Sequence, residues 1–185
     1  MSDFCTTLIV PGLHGSGAGH WQTWWQQKDR GARRVEQDDW ATPDLDVWAC
    51  KVRHAVDESR GCVWIVAHSF GCLASLHAAQ QLPDRVRGVF LVAPADPIKF
   101  SVAHRLPQHA LPFPSVFVAS RTDPWLHFDK AREWAKTLDS QFIDLGEAGH
   151  INIESGFGAW QKGLDLFGDF VRKVTTSEIG EAVCS

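Results

Sequence analysis

Short apolar runs alternate with segments of helical periodicity along almost the whole chain, and this alternation constrains the fold more than any other feature. Strands are predicted at 6–10, 62–67, 86–92, 115–120 and 141–145, with a weaker candidate at 32–37. Helices are predicted at 20–28, 44–58, 71–81, 128–138 and 157–171. Strands that are separated by helices form parallel sheets covered on both faces. The sequence therefore predicts an α/β fold, with a mostly parallel sheet of about six strands and helices on both faces.

The 185 residues are expected to form one domain over 1–173, followed by a polar tail over 174–185 that frays. Hydrophobic residues make up 44% of the chain and charged residues 22%, close to globular averages, which argues against disorder. One irregular stretch, 93–114, holds five prolines. A loop of that length in a compact domain is usually functional or carries a short helix of its own.

Charge and composition exclude several classes of protein. The net charge of −4 leaves nothing to neutralise a run of phosphates, so no nucleic-acid partner is expected. No apolar stretch approaches the roughly 20 residues that span a bilayer, and the first residues lack the basic and apolar regions of a secretory signal. The five cysteines are odd in number and form no C-x-x-C pair, which favours reduced thiols. We therefore expect a cytoplasmic protein without membrane association.

The most informative segment is 66–71, Val-Ala-His-Ser-Phe-Gly, which follows a predicted buried strand and opens onto a predicted helix. A serine in that position matches the nucleophile elbow, G-x-S-x-G, where the residues two before and two after the serine must be small because strand and helix pass closely. Gly71 fits the pattern, and Ala67 departs from it by one methyl group. The pentapeptide alone is equally consistent with an ordinary strand-to-helix turn, and its neighbours in the fold make Ser69 the candidate nucleophile.

A nucleophilic serine needs a base and an orienting acid, which in this architecture follow in the order Ser, Asp, His. Asp123 comes just after the strand predicted at 115–120, and His150 just after the last predicted strand. These residues would lie with Ser69 at the carboxyl ends of parallel strands, the edge where open α/β sheets bind ligands. Asp96 is the rival acid, and Asp123 is preferred because its loop lies one strand nearer to His150.

The glycine-rich segment 12–19 follows the first predicted strand and offers donors for an oxyanion. In elbow hydrolases one N–H belongs to the residue after the nucleophile, here Phe70, and the other to a loop after an earlier strand. Leu13 is the candidate for the second donor, with His14 as a weaker one. We expect His14, Trp125 and Phe100 to line the substrate pocket.

Neither the glycine-rich segment 12–19 nor the rest of the sequence contains a recognised cofactor or metal motif. A P-loop needs Lys and then Ser or Thr after Gly17, where Ala18 and Gly19 stand, and the dinucleotide pattern that begins at Gly15 would need glycine in place of His20. No H-E-x-x-H or C-x-x-C appears, and the nine histidines lack metal-ligand spacing. Neither a cofactor nor a metal ion is therefore expected.

Together these segments resemble a family of small α/β-hydrolases that includes retinoblastoma-binding protein nine and many uncharacterised bacterial hydrolases. The resemblance extends over 6–171 and rests on Pro11-Gly12, His20-Trp21-Gln22-x-x-Trp25, His68-Ser69-x-Gly71, Asp123-Pro124 and Gly149-His150-Ile151-Asn152. It implies a compact α/β-hydrolase core without a separate cap domain. It also implies that Ser69 is the nucleophile, Asp123 the acid and His150 the base, although Ala67 stands where the family usually has glycine.

The sequence thus predicts a serine hydrolase of the carboxylesterase type, which cleaves a small-molecule ester, with a thioester or an amide as alternatives. A second function stays open, in which the triad is idle and the scaffold binds a protein partner. That function is motivated by the resembled family, some members of which act as binding partners, and by the aromatic side chains of Trp125 and Phe100, which are expected to be exposed. In a third, the acyl group passes to an alcohol or an amine instead of water.

Overall fold

The structure is a computed structural model, and it describes residues 5–29 and 31–183. Its strands β1 to β6 are Cys5–Val10, Arg33–Arg34, Cys62–His68, Val86–Val92, Ser115–Ala119 and Gln141–Asp144. Its helices α1 to α5 are Trp21–Lys28, Leu45–Asp57, Phe70–Ala79, Phe128–Thr137 and Gln161–Val183. Two short 3₁₀ helices cover Ala103–Arg105 and Ile153–Ser155.

All the described strands join one sheet in the order β2-β1-β3-β4-β5-β6, and every pairing is parallel. The prediction of a six-stranded parallel sheet is confirmed, and no separate cap domain is present in the part of the chain described. The chain moves from β1 to β2 in one direction and then crosses back to β3 on the other side of β1. The loops after β1 and β3 therefore meet where the strand order reverses, which is the usual ligand site of such sheets.

Helices cover both faces of the sheet because the strand side chains alternate between them. Leu8, Val10 and Ile65 contribute to the core that α2, α3 and α4 cover. Ile9 and Val66 point to the opposite face, where they pack with the tryptophans of α1 and the phenylalanines of α5. The central strands are buried on both faces, as their uninterrupted apolar sequence predicts.

The last helix differs from the expectation at both ends. It begins at Gln161 instead of residue 157 and continues to Val183, beyond the expected end at residue 171. Phe167, Phe170 and Val174 are buried on one side of it, so the apolar periodicity that holds α5 against the sheet extends past residue 173. The expectation of a frayed tail is wrong for residues 174–183. The division into a domain over 1–173 and a tail stays a prediction.

The thiols also differ from the expectation. Cys5 and Cys62 form a disulfide, with their Cα atoms 4.6 Å apart. These residues are directly paired in the register of β1 and β3, which brings positions far apart in the sequence side by side. The expectation that all cysteines are reduced is therefore wrong for this pair, whereas Cys50 and Cys72 are free. The cytoplasmic location, which relied partly on reduced thiols, stays a prediction.

The long irregular stretch 93–114 carries the 3₁₀ helix Ala103–Arg105, in agreement with the sequence. The guanidinium of Arg105 forms an ion pair with Asp46 on α2, and its carbonyl accepts a hydrogen bond from His77 on α3. The stretch is thereby fixed to the helices beneath it. Among the described residues, no helix has the length and apolar character needed to cross a bilayer.

Candidate active site

Ser69 lies between the end of β3 and the start of α3, in a backbone conformation with φ of 54° and ψ of −124°. A positive φ is unfavourable for a residue with a side chain and persists only where the surroundings impose it. The helix passes so close to β1 that a Cβ on Gly71 would lie 2.3 Å from the carbonyl oxygen of Pro11. Ala67, two residues before Ser69, is fully buried on β3, and its methyl group is accommodated there. The segment therefore has the geometry of a nucleophile elbow.

His150 stands between Ser69 and Asp123. Its Nε2 is 2.9 Å from the Ser69 hydroxyl oxygen, and its Nδ1 is 3.0 Å from both carboxylate oxygens of Asp123. A carboxylate only accepts hydrogen bonds, so Nδ1 carries the proton and Nε2 is left to accept from the serine hydroxyl. The side chains of His150 and Asp123 are only 9% and 3% exposed.

Asp96, the rival acid, lies elsewhere in the site. Its carboxylate accepts the N–H of Ile98 and lies 3.5 Å from the ammonium group of Lys130. Asp123 instead accepts the N–H of Trp125 in addition to the imidazole of His150. The geometry therefore brings Asp123, and not Asp96, to the base.

Hydroxyl groups fix the backbone that carries His150. Ser120 and Thr122, in the loop after β5, accept hydrogen bonds from the N–H groups of Ala148 and Gly149. The hydroxyl of Ser155 accepts the N–H of His150 itself. The loop of the acid and the loop of the base are thus joined directly. These hydroxyl residues carry no motif of their own, and the sequence analysis missed them.

Two further side chains, one at the end of β3 and one on α1, donate hydrogen bonds to the loop that carries His150. The imidazole Nε2–H of His68 donates to the carbonyl of His150 at 2.9 Å. The indole N–H of Trp21 donates to the carbonyl of Ile151, also at 2.9 Å. Both residues lie in the segments that carry the family resemblance, which was the available signal for their place in the site.

A row of three imidazoles runs through the site. The ring of His68 lies 4.9 Å from that of His150 and 5.0 Å from that of His20. Burial lowers the pKa of His68 well below its ordinary value, and the nearby His150 and His20 lower it further. Burial, with smaller contributions from Arg34 and His150, lowers the pKa of His20 to about 4. Both imidazoles are therefore neutral at neutral pH and add no positive charge beside His150.

Two segments that meet beside Ser69 carry backbone N–H groups. A Cβ on Gly12 would lie 2.7 Å from the Cβ of Ser69, so the chain after β1 passes directly against the serine. The N–H of Leu13 donates to no acceptor in the described part of the chain, whereas the N–H of His14 donates to the carbonyl of Trp40. Phe70 is the first residue of α3, and the first N–H groups of a helix have no intrahelical acceptor. Leu13 and Phe70 are therefore the available donors, and His14 is not.

The serine opens into a cleft of about 350 Å³. The predicted pocket residues His14, Phe100 and Trp125 all lie in its wall. The wall also contains side chains that were not predicted to line the pocket, most of them charged or polar: His20, His68, Asp96, Lys99, Asn152, Ile153 and Glu154. Phe100 packs on the ring of Phe70 with 4.9 Å between centroids, and Trp125 lies 6.2 Å from the ring of His150. Among the described residues, no group of three or more His, Cys, Asp or Glu side chains is arranged to hold a metal ion.

Comparison with known proteins identifies the family of this chain and structures with a similar fold. Residues 7–169 match the sequence model of the family described as Serine hydrolase. The chain is 39% identical to a protein assigned as a YdeN-like hydrolase from Pectobacterium atrosepticum, with a TM-score of 0.90 and 94% of each chain covered.

Two more distant structures share the fold. The ydeN gene product of B. subtilis is 19% identical, with a TM-score of 0.76 over 91% of this chain and 100% of the other. An alpha-beta serine hydrolase homologue from Coxiella burnetii is 17% identical, with a TM-score of 0.62 over 91% of this chain and 84% of the other. No curated protein matches the chain.

Proposed function

The chain belongs to the serine hydrolase family, and we propose that it cleaves a small carboxylic ester, with Ser69 as nucleophile, His150 as base and Asp123 as acid. The observation that carries this proposal is the position of His150, which lies within hydrogen-bond distance of both the serine hydroxyl and the buried carboxylate. A base that is oriented by an acid and bonded to a hydroxyl is the arrangement that activates a serine.

In the first half of the reaction, the Ser69 oxygen attacks the acyl carbon while its proton moves to Nε2 of His150. The carboxylate of Asp123 keeps the imidazole in the required tautomer and stabilises the imidazolium ion that forms. The carbonyl oxygen becomes an oxyanion, which accepts hydrogen bonds from the N–H groups of Leu13 and Phe70. When the carbon–oxygen bond of the ester breaks, His150 returns the proton to the leaving alcohol, and an acyl group remains on Ser69.

In the second half, a water molecule takes the place of the alcohol. It gives a proton to His150 and attacks the acyl carbon, which forms a second oxyanion at the same two N–H groups. Collapse of this intermediate releases the carboxylic acid and returns the proton to Ser69. A thioester or an amide would follow the same steps with a thiol or an amine as leaving group.

Hydrolysis of p-nitrophenyl acetate by purified Ser69→Ala tests the proposal. We expect kcat/KM to fall by at least about 10³-fold, because the oxyanion donors alone cannot supply the covalent route. Ser75→Ala is the matched control, since Ser75 is a buried serine on α3, the helix that follows Ser69, and its hydroxyl makes no hydrogen bond in the described structure. A folded Ser69→Ala that keeps the wild-type rate would overturn the proposal and favour a scaffold that only binds.

A further inference from the structure

We propose that His20 and His68 together bind a hydroxyl group of the substrate in the wall of the cleft, near Ser69. This inference rests on the proposed function and adds a substrate class to it, namely esters that carry an alcohol hydroxyl in addition to the ester group. It is carried by two buried imidazoles that line the cleft, each of which has one ring nitrogen without a partner in the described part of the chain.

His20 supplies a hydrogen-bond donor. Its Nδ1 accepts the N–H of Gln22 at 3.2 Å, so the neutral ring carries its proton on Nε2. That Nε2 has no hydrogen-bond partner among the described residues, and it is not one of the unpaired polar atoms there that are fully enclosed by protein. Since His20 is only 4% exposed and lines the cleft, its accessible ring edge offers this N–H to the cleft.

His68 supplies a hydrogen-bond acceptor. Its Nε2–H donates to the carbonyl of His150, which leaves a lone pair on Nδ1 of the neutral ring. Burial keeps the pKa of His68 well below its ordinary value, so the ring stays neutral and the lone pair stays available. Within residues 5–29 and 31–183 this Nδ1 also lacks a partner without being fully enclosed. His68 is 5% exposed and lines the same cleft as His20.

The two free nitrogens suit a single oxygen atom. The centroids of the His20 and His68 rings are 5.0 Å apart. An oxygen that makes two hydrogen bonds of about 2.9 Å can bridge nitrogens up to about 6 Å apart. The bridging oxygen must accept from His20 and donate to His68. A hydroxyl does both, whereas an ether, a carbonyl or a carboxylate oxygen only accepts and an ammonium group only donates.

The position of these rings relative to the serine makes the hydroxyl part of the substrate. His68 directly precedes Ser69, and its ring lies 4.9 Å from that of His150. An ester at Ser69 therefore extends through the same cleft that the two imidazoles line. A site whose buried polar groups are paired only by a substrate hydroxyl discriminates strongly against an analogue that lacks it. The two histidines thus favour a hydroxy ester over a hydrocarbon ester of the same shape.

Sets of ethyl butyrate derivatives test the proposal in the wild-type protein. Each set carries a hydroxyl, a methoxy or a methyl group at one position: the α carbon, the β carbon or the terminal carbon of the ethyl group. Division of kcat/KM by the rate constant of alkaline hydrolysis removes differences in intrinsic reactivity. At one of these positions we expect the hydroxyl ester to exceed the methyl ester by at least about tenfold. The methoxy ester should react more slowly than the hydroxyl ester, because it cannot donate to His68.

His20→Asn tests the donor. Asparagine can still accept the N–H of Gln22, but its shorter side chain does not present the Nε2–H, so the ratio of hydroxyl to methyl ester should fall by about tenfold. A ratio within one protein is unaffected by a general loss of activity, which a merely structural role of His20 would cause. His54→Asn is the matched control, because His54 lies on α2 outside the cleft, and it should keep the wild-type ratio.

The outcomes separate this inference from the proposed function. A hydroxyl ester that is no better than its methyl and methoxy counterparts at every position would overturn the inference and mean that the two nitrogens bind water only. An unchanged ratio in His20→Asn would overturn it as well. If that variant does not fold, the comparison of hydroxyl and methoxy esters in the wild type decides. If the wild type hydrolyses no ester faster than Ser69→Ala, the proposed function itself fails.

Discussion

The choice between two carboxylates is decided at the scale of single residues. Asp123 and Asp96 follow neighbouring strands at the same edge of the sheet; Asp96 lines the cleft, and Asp123 contacts His150, which also lines it. The carboxylate of Asp123 meets Nδ1 of His150, whereas that of Asp96 is occupied by Lys130 and a backbone N–H. Only the first can hold the imidazole in the tautomer that accepts a proton from Ser69.

Asparagine substitutions separate the two carboxylates. Asp123→Asn should lower kcat of ester hydrolysis by about 10³- to 10⁴-fold, because the amide favours the wrong tautomer and cannot stabilise an imidazolium ion. Asp96→Asn should lower it by less than about tenfold, since it changes only the wall of the cleft. Steady-state kinetics of both variants check this, and an equal loss in the two would contradict the assignment of the acid.

The buried imidazoles make stability depend on pH. The pKa of His20 falls from 6.5 to about 4 on folding, and that of His68 falls as well, so the unfolded chain binds more protons on acidification. The free energy of unfolding should therefore decrease as the pH drops from about 6.5 to 5, by at most about 1.4 kcal/mol per pH unit for each histidine.

Asparagine at position 20 tests this dependence without removing the helix cap. The Nδ1 of His20 accepts the N–H of Gln22 at the start of α1, and the side-chain oxygen of asparagine makes the same contact. Urea unfolding of His20→Asn at pH values from about 5 to about 7.5 should show a shallower dependence of unfolding free energy on pH than the wild type. An identical slope in both proteins would contradict a neutral, buried His20.

At the scale of elements, the site depends on how closely α3 and the loop after β1 approach each other. The carbonyls of Val10 and Pro11 lie where a side chain of Gly71 would be, and Gly12 lies against Ser69. The proposed oxyanion donors, Leu13 and Phe70, adjoin these two glycines, whose lack of a side chain permits the close approach. The elbow and the loop are therefore one packed unit.

Alanine substitutions measure that packing. In Gly71→Ala the new methyl group would meet backbone carbonyls, which cannot rotate away, so the variant should lose about 3 kcal/mol or more of unfolding free energy. Gly17→Ala is the control in the loop after β1, because a Cβ there meets no atom within 4 Å. Urea unfolding of the two variants checks this. A Gly71→Ala protein as stable as the wild type would mean that strand and helix are further apart than described.

The elements also show where the sequence was informative and where it was not. Apolar runs located β3 and β4, because strands that are buried on both faces need little else to be recognised. The end of α5 was missed because the residues that follow Val174 in the sequence, Thr-Thr-Ser-Glu, are polar and give no sign that the helix continues. The partners of the His150 loop were missed for a similar reason, since the hydroxyls of Ser120, Thr122 and Ser155 act through tertiary contacts that have no sequence spacing.

At the scale of the whole molecule, one covalent bond joins the first strand to the centre of the sheet. Cys5 and Cys62 are separated by 57 positions, and their disulfide closes a loop that contains β2 and α2. Peptide mapping without reductant should recover the two cysteines in one linked peptide. Reduction should lower the free energy of unfolding by about 2–4 kcal/mol, because the loop is then free in the unfolded state. Free thiols at both positions in the native protein would contradict this pairing.

The whole arrangement holds three distant residues together at one edge of the sheet, and an alkyl fluorophosphonate tests whether that arrangement makes Ser69 a nucleophile. Such a reagent is attacked by an activated serine and stays bound to it, so mass spectrometry of the digested protein identifies the residue. We predict one adduct, on the peptide that contains Ser69, and its loss when His150→Ala removes the base. An unlabelled Ser69 in the folded wild-type protein, or labelling that persists without His150, would contradict the account.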